Sequence, residues 1–218
     1  MLYQDRTDAG RQLARQLGAY AHRHDVIVLA LPRGGVPVGF EVAEALGAPL
    51  DVLLVRKLGV PGHEELAMGA IVSGGARVVN EDVVNYLHIP DTVIDEVARR
   101  ELEELDRRDR TYRDVRPAPA VSGRTVILVD DGLATGSTMR AAAAAMRELE
   151  PARIVVAVPV AAPQTCRELR SEVDEVVCVH TPDMFQGVGQ WYMDFSQTTD
   201  DEVRALLARA AHGSGSAA

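Results

Sequence analysis

The stretch VILVDDGLATGSTM, residues 126–139, joins an apolar run to two adjacent aspartates and then to a loop of small and hydroxylated residues. The apolar run has the continuous, β-branched composition of a strand that is buried on both faces. The segment STMRAAAAAMRELE, which follows directly, has the composition of a helix. A buried strand, a loop and a helix in this order form the repeating unit of an α/β fold.

The same alternation runs along most of the chain. We therefore predict a mostly parallel sheet with helices on both faces and a small C-terminal hood. Strands are predicted at residues 26–31, 51–57, 68–73, 76–80, 125–130, 153–160 and 175–181, and helices at 8–23, 36–46, 91–113, 137–150, 163–171 and 199–211. Ligands of such sheets bind at the carboxyl ends of the strands, so the loops at 32–35, 57–68, 130–138 and 180–195 are the candidates for a site.

Length and composition restrict the class of protein. The 218 residues suit a single domain, predicted at 1–212, with a core at about 26–179, a charged helical insertion at about 91–113 and a hood at about 180–198. Residues 213–218 are rich in Gly, Ser and Ala and are predicted to form a disordered tail. The segment 91–113 alternates in charge, which favours an exposed or partner-facing helix.

Charge and cysteine content bear on the binding partners and the cellular location of the protein. A net charge of -9 argues against broad binding to nucleic acid or to an anionic membrane. We find neither a signal peptide nor an apolar run of about 20 residues, which a membrane span needs. Cys166 and Cys178 lie in no metal-binding spacing, so we expect buried free thiols and a cytoplasmic location.

The loop after the strand at 125–130 has the features of a phosphate site. Gly136 lets the backbone approach a ligand closely, and free N–H groups at the start of the next helix would bind a phosphate. The lysine of a P-loop and the glycine pattern of a dinucleotide fold are both absent. Asp130 and Asp131 would suit a phosphate attached to a sugar, because two carboxylates can accept hydrogen bonds from vicinal hydroxyls. Taken singly, either aspartate is equally well explained as a turn cap or a solvated strand end.

The whole string VILVDDGLATGST resembles the phosphoribosyl-pyrophosphate (PRPP) binding motif of type I phosphoribosyltransferases. The resemblance extends over roughly residues 26–195, with its specific parts in the four loops. It implies that Asp130 and Asp131 contact the ribose hydroxyls and that the 5′-phosphate is held by Ala134, Thr135, Gly136, Ser137 and Thr138.

The segment ALPRGGVPVG resembles the pyrophosphate loop of the family, in which a strained or cis peptide is common. Arg33 would supply charge there, and Gly34 and Gly35 would allow unusual backbone angles and a close approach to the ligand. Taken alone, the sequence PRGG is equally consistent with an ordinary turn.

The segment VRKLGVPGHEELAMGAI follows the second strand. Arg56 and Lys57 are expected on one face, and the resemblance implies that the lysine contacts pyrophosphate. Residues 59–65 would form a mobile loop that closes over the substrate, with Gly59 and Gly62 as hinges. The segment His63–Glu65 is better explained as exposed loop than as part of a site.

The acceptor side is predicted in the hood. Four of the nine aromatic residues lie between 185 and 195, and Phe185, Trp191 and Tyr192 are candidates for stacking on a nucleobase. Asp183 or Asp194 would read a base edge. A small local core under a long loop is the alternative. Members of the family that act on 6-oxopurines commonly have an aspartate where this chain has Ala134, so a hypoxanthine–guanine enzyme is disfavoured.

The resemblance implies a Mg²⁺-dependent, dimeric enzyme that transfers the phosphoribosyl group of PRPP to a small heterocycle. Arg33, Lys57 and Asp131 are the expected catalytic residues, and Asp130 and Asp131 would reach the metal through water or sugar hydroxyls. A PRPP-sensing regulator is the alternative, although it usually has a basic face or an added DNA-binding domain. A pocket-bearing interaction module without turnover is a third.

Overall fold

The computed structural model describes residues 2–113 and 118–213, and in these ranges the chain forms eight β-strands and seven α-helices. The strands are β1 (Val26–Ala30), β2 (Leu50–Val52), β3 (Val55–Val60), β4 (His63–Val72), β5 (Arg77–Val79), β6 (Thr125–Val129), β7 (Arg153–Val160) and β8 (Glu175–His180). The helices are α1 (Arg6–Gln16), α2 (Gly35–Leu46), α3 (Glu81–Leu87), α4 (Asp91–Arg113), α5 (Ser137–Arg147), α6 (Pro163–Leu169) and α7 (Asp200–Gly213). Gly213 ends α7, and the rest of the predicted tail, residues 214–218, lies outside the described residues.

The main sheet is parallel and has the order β2-β1-β6-β7-β8, as predicted for the fold class. The order reverses between β1 and β6, and this is the position at which open α/β sheets bind ligands. Ala30 pairs with Val129, and the Leu31 N–H donates to the Val129 carbonyl (2.8 Å). The loops that follow these two strands therefore begin side by side.

Helices cover both faces of the main sheet, and successive side chains of β6 pack alternately against the helices on one face and on the other. Ile127 and Val129 pack with Leu13 of α1 and Val38 of α2 on one face. The alternate residues Val126 and Leu128 pack on the other face, with Met139 and Met146 of α5 and Leu169 of α6. A strand that is buried on both sides has no polar face, which accounts for its continuous apolar sequence.

The predicted strand 51–57 is corrected by the structure, which divides it between two sheets. β2 belongs to the main sheet, whereas β3 forms an antiparallel sheet with β4 and β5. The predicted loop 59–65 is correspondingly a hairpin, because β3 and β4 pair as far as Val60 and His63, with Gly62 at positive φ (81°) in the turn. The predicted turn at Gly74–Gly75 between β4 and β5 is confirmed.

The charged segment 91–113 is helical as predicted, but its inner face packs within the chain. Ile94, Val97, Ala98 and Leu105 form a core with Leu58, Met68 and Ile71 of the second sheet. At its end, Arg113 donates to Asp51 of β2 (2.8 Å). α4 is thus an integral wall of the molecule rather than a helix directed wholly outward.

We expect Leu105→Ala to lower the free energy of unfolding by about 2–5 kcal/mol, because Leu105 is only 1% exposed and its removal leaves a cavity. Urea unfolding followed by circular dichroism measures this loss. Leu87→Ala is the control, since Leu87 is 39% exposed and its truncation should cost less than about 0.5 kcal/mol. An equal, small loss for both variants would contradict the packing of α4.

Two further predictions concern the cysteines and membrane-spanning segments. The structure joins Cys166 and Cys178 in a disulfide, which corrects the prediction of free thiols. The reason is that α6 packs beside β8, which brings the helix cysteine to the strand cysteine. Over residues 2–113 and 118–213, none of the helices combines the length and apolar character that crossing a membrane requires.

Candidate active site

The loops after β1 and β6 meet at the switch point of the sheet. The peptide bond between Pro32 and Arg33 is cis, as is common in the pyrophosphate loop that this segment resembles. A Cβ placed on Gly34 would lie 2.1 Å from Asp131 Oδ2, and one placed on Gly35 would lie 2.8 Å from the Val129 carbonyl oxygen. Both glycines thus lie against the end of β6 and Asp131, and their predicted close approach to a ligand stays a prediction. The predicted unusual backbone angle is wrong for Gly34, which has φ of -60°.

Each of the two aspartates uses one carboxyl oxygen in a hydrogen bond within the chain. Asp130 Oδ1 accepts a hydrogen bond from the Asp131 N–H (2.8 Å), and Asp131 Oδ2 accepts one from Arg6 Nε (2.8 Å). The second oxygen of each carboxyl accepts no hydrogen bond from any residue in the described ranges. Each of these two consecutive residues therefore has one carboxyl oxygen that could accept a hydrogen bond from a ligand.

Burial sets the protonation of this pair. Burial raises the pKa of Asp130 well above its ordinary value, and the neighbouring charge of Asp131 raises it further. Burial also raises the pKa of Asp131, and the hydrogen bond from Arg6 opposes this rise. Desolvated carboxylates placed side by side are unfavourable for folding, which is a common feature of functional sites.

The predicted phosphate loop lies at the start of α5. Gly136 precedes the helix in the left-handed conformation (φ 69°), and a Cβ there would lie 2.5 Å from Thr165 Cγ2. The Thr165 hydroxyl donates to the Ala134 carbonyl (2.6 Å) and thereby holds the loop against α6. The N–H groups of the first turn of α5 point toward the space above Gly136, where an anion would bind.

Arg56 and Lys57 point in opposite directions. Arg56 Nε contacts Glu101 Oε2 of α4 (2.7 Å), whereas Lys57 Nζ donates to Ser137 Oγ in the phosphate loop (3.0 Å). The prediction that both project from one face is wrong, because successive side chains of a strand alternate between its faces. Lys57 nevertheless reaches the loop that begins α5.

A cavity of about 390 Å³ lies beside the loop that follows β1. Its polar lining comes from Arg33 in the loop after β1, Arg56 of β3, Thr138 of α5, Asp200 of α7, and Arg107, Arg108, Thr111 and Tyr112 of α4. Tyr112 donates to Asp200 Oδ1 (2.6 Å), and Arg33 Nη1 lies 4.0 Å from the same oxygen. Burial and then Asp200 raise the pKa of Tyr112 to about 12. Four arginines on its walls suit the cavity to a multiply charged anion.

The hood forms a small core around Tyr3, near the N-terminus. Phe185, Val188 and Trp191 pack against Tyr3, Ala9, Val160 and Tyr192. Tyr192 is only 6% exposed, and its hydroxyl donates to the Asp131 carbonyl (2.6 Å); burial raises its pKa. The predicted stacking on a base is corrected for Tyr192, whose ring is enclosed, and it stays a prediction for Phe185 and Trp191.

A family model described as a phosphoribosyl transferase domain matches residues 2–196, which include both anion loops and the hood. The chain belongs to this family. The crystal structure of the protein TT1426 from Thermus thermophilus superimposes with a TM-score of 0.86 at 43% identity, covering 96% of this chain and 99% of that one. The resemblance found in the sequence and the predicted fold class are thus confirmed.

Two curated relatives come from Mycobacterium tuberculosis, strains CDC 1551 / Oshkosh and ATCC 25618 / H37Rv. Each carries the name "Putative phosphoribosyl transferase" and is 50% identical over 209 residues, which are 96% of this chain and 47% of the relative. The Bifunctional protein PyrR of Chloroflexus aurantiacus is 36% identical over 129 residues, 58% of this chain and 65% of that protein. The chain spans about half the length of the mycobacterial relatives.

Several neighbours of the candidate site were not predicted from sequence. These neighbours lie on four different helices: Arg6, Thr165 and Asp200 contact the motif loops, and Tyr112 contacts Asp200 and lines the cavity. None belongs to a motif, and each is separated by 31 residues or more from the residue that it contacts. Only the topology of the sheet brings them to the site.

Proposed function

We propose that the protein transfers the 5-phosphoribosyl group of PRPP to a nitrogen of a nucleobase or similar heterocycle and releases pyrophosphate. The observation that supports this proposal most is that Asp130 and Asp131 each keep one unpartnered carboxyl oxygen at the switch point, where the loops after β1 and β6 begin side by side. PRPP has the matching order of groups: a 5′-phosphate, two vicinal hydroxyls and a pyrophosphate.

The donor would bind as follows. The 5′-phosphate would lie on the N–H groups of Thr135–Thr138, and the ribose hydroxyls would donate to Asp130 Oδ2 and Asp131 Oδ1. The pyrophosphate would lie against Gly34 and Gly35, with Arg33 at the cavity mouth and Arg56 on its wall. Lys57, which already contacts Ser137, would lie between the two anions.

The chemistry would depend mainly on position and charge. The acceptor nitrogen forms a bond to the anomeric carbon while the bond from that carbon to the pyrophosphate oxygen breaks, and pyrophosphate leaves with the electron pair. The proton on the acceptor nitrogen is then released. Asp131 would stabilise positive charge on the ribose ring, and Arg33 and Lys57 would stabilise the negative charge on the leaving group.

The donor set at this site fits Mg²⁺ only together with the substrate. No cluster of three or more His, Cys, Asp or Glu side chains that could hold a metal occurs within residues 2–113 and 118–213. The free oxygens of Asp130 and Asp131 would reach the ion through water or ribose hydroxyls, as Mg²⁺ commonly retains several waters. When bound, the ion would neutralise charge on the pyrophosphate.

On the acceptor side, we propose that Phe185 and Trp191 contact the heterocycle. Ala134 lacks the carboxylate that 6-oxopurine enzymes of the family commonly have at this position, which supports a different acceptor. The β3–β4 hairpin, which carries Lys57, would close over the donor and exclude water. We further propose that the protein acts in the cytoplasm as a homodimer, and analytical ultracentrifugation tests the dimer.

A screen for turnover tests the proposed function. The protein is incubated with PRPP, Mg²⁺ and a panel of purines, pyrimidines and other nitrogen heterocycles, and pyrophosphate release is measured. At least one acceptor should give turnover, and the same acceptor should give none with Asp130→Asn/Asp131→Asn. PRPP binding without turnover on any acceptor would instead support the PRPP-sensing alternative.

A further inference from the structure

Arg6 is the first residue of α1, and the donor site as proposed does not require it. The start of this helix is fixed, because Asp5 caps it by accepting a hydrogen bond from the Asp8 N–H (2.8 Å). Side-chain oxygens at this position stabilise a helix end and define where it begins. The Arg6 side chain therefore extends from a fixed backbone toward the end of β6.

The Arg6 guanidinium links two parts of the site. Its Nε donates to Asp131 Oδ2 (2.8 Å), and its Nη1 donates to the Ser196 carbonyl (2.7 Å). Its Cζ lies 4.0 Å from the centre of the Phe195 ring, at a distance typical of a cation–π contact. The Arg6 side chain is 12% exposed. Water therefore competes little with these contacts, and a charge-assisted bond of this kind is among the stronger ones.

These contacts select one orientation of Asp131. Oδ2 is held by Arg6, and the Gly34 backbone lies close to the same oxygen, since a Cβ on Gly34 would lie 2.1 Å from Oδ2 and 3.2 Å from Arg6 Nε. The carboxyl cannot turn without losing the bond to Arg6. Its other oxygen, Oδ1, is consequently left open for a ligand. Among the residues that the structure describes, Arg6 is the one cation that hydrogen-bonds to either aspartate.

We infer that Arg6 is a positioning residue that orients Asp131 for the ribose and ties the hood to the ribose site. This inference rests on the proposed function for the identity of the ligand. Because Arg6 contacts Phe195 and Ser196, the segment that contains them should become less ordered when Arg6 is replaced. Ribose binding and the order of residues 185–196 are then coupled through the Arg6 side chain, in addition to the bond from the Tyr192 hydroxyl to the Asp131 carbonyl.

The first test compares ligands that do and do not contain ribose. Isothermal titration calorimetry with ribose 5-phosphate should show at least about tenfold weaker binding for Arg6→Gln, while inorganic pyrophosphate should bind within about twofold of wild type. Arg6→Lys keeps the charge but cannot bond to Asp131 and Ser196 together, so it should recover only part of the loss. Arg11→Gln is the control, because Arg11 lies on the same helix, pairs with Glu41 (2.8 Å) and is 65% exposed.

The second test is independent of any ligand. Hydrogen exchange followed by mass spectrometry should be faster over residues 185–196 in Arg6→Gln and in Asp131→Asn, with no change in the strands of the main sheet or in Arg11→Gln. Circular dichroism and thermal unfolding verify that each variant is folded, and Arg6→Lys serves for both tests should Arg6→Gln not fold.

The outcomes separate this inference from the proposed function. Equal loss of ribose 5-phosphate and pyrophosphate binding, or no loss of either, would overturn the positioning role of Arg6. Full recovery by Arg6→Lys would overturn the two-point link to the hood, as would unchanged exchange over residues 185–196. Wild-type protein that binds no PRPP would refute the proposed function and the ribose role together, and hydrogen exchange would still decide the link between Arg6 and the hood.

Discussion

Asp130→Asn is expected to weaken PRPP binding by about 10- to 100-fold while leaving the ligand-free protein as stable as wild type or more stable. The loss in affinity arises because an amide N–H₂ replaces the charged oxygen that accepts a ribose hydroxyl, and hydrogen bonds to charged groups contribute roughly 1.5–3 kcal/mol. Calorimetry with PRPP measures the affinity, and thermal unfolding of the ligand-free protein measures the stability.

The sign of the stability change follows from the pKa. Burial raises the pKa of Asp130 in the folded state. The ionised carboxyl therefore destabilises the fold, beginning as the pH rises past its ordinary pKa in the unfolded chain and reaching the full amount above its raised pKa in the folded chain. An asparagine removes this penalty at neutral pH. A lower unfolding temperature for Asp130→Asn would contradict the argument, and unchanged PRPP affinity would refute the sugar-site assignment.

Asp25→Asn provides a matched control at the opposite end of the sheet, directly before β1. The hydrogen bond from Arg23 lowers the pKa of Asp25 to about 2. The carboxylate therefore stabilises the fold at neutral pH, and the contribution is lost as the pH falls through its unfolded-state pKa toward about 2. Asp25→Asn should lower stability slightly and leave PRPP affinity unchanged, which is the reverse of the result for Asp130→Asn.

Gly34→Ala is expected to have the second large effect, a loss of PRPP binding of about 100-fold or more with a stability cost of about 1–3 kcal/mol. The added Cβ would lie 2.1 Å from Asp131 Oδ2 and 2.8 Å from its Cγ. The carboxyl must then turn away and lose its bond to Arg6, so the free oxygen no longer faces the ribose. The same calorimetric and unfolding measurements apply.

Gly18→Ala is the control for this substitution. A Cβ on Gly18 meets nothing within 4 Å, and the residue is not among those with positive φ. We expect wild-type affinity for PRPP and a stability change within about 0.5 kcal/mol. Wild-type PRPP affinity in Gly34→Ala would show that Asp131 need not keep the orientation described here.

The parallel sheet could be predicted from sequence because its strands have no polar face. The run from Val126 to Val129 is apolar at every position, since neighbours on both sides of the sheet bury it. The two anion loops could be placed for the same reason: each follows such a strand, and strand ends in parallel sheets lie together. Their pairing at the switch point depends on the strand order, which was not predicted and is given by the structure.

The remaining features depend on contacts that a linear pattern does not contain. The apolar pair Leu53–Leu54 lies between β2 and β3, and periodicity alone cannot indicate that the chain leaves one sheet there for another. The bond between Arg6 and Asp131 joins residues 125 apart. The alternating charges of α4 indicated a helix, but they gave no indication that Arg107 and Arg108 line a cavity.

α4 has a further consequence for protein engineering. The residues that anchor it, among them Ile94, Val97 and Ala98, pack with the second sheet, whereas Arg107, Arg108 and Thr111 line the cavity. Randomising the latter three would alter one wall of the cavity and keep the anchoring core and both motif loops intact. A library confined to these codons is therefore a practical route to variants with new ligand preferences on an unchanged scaffold.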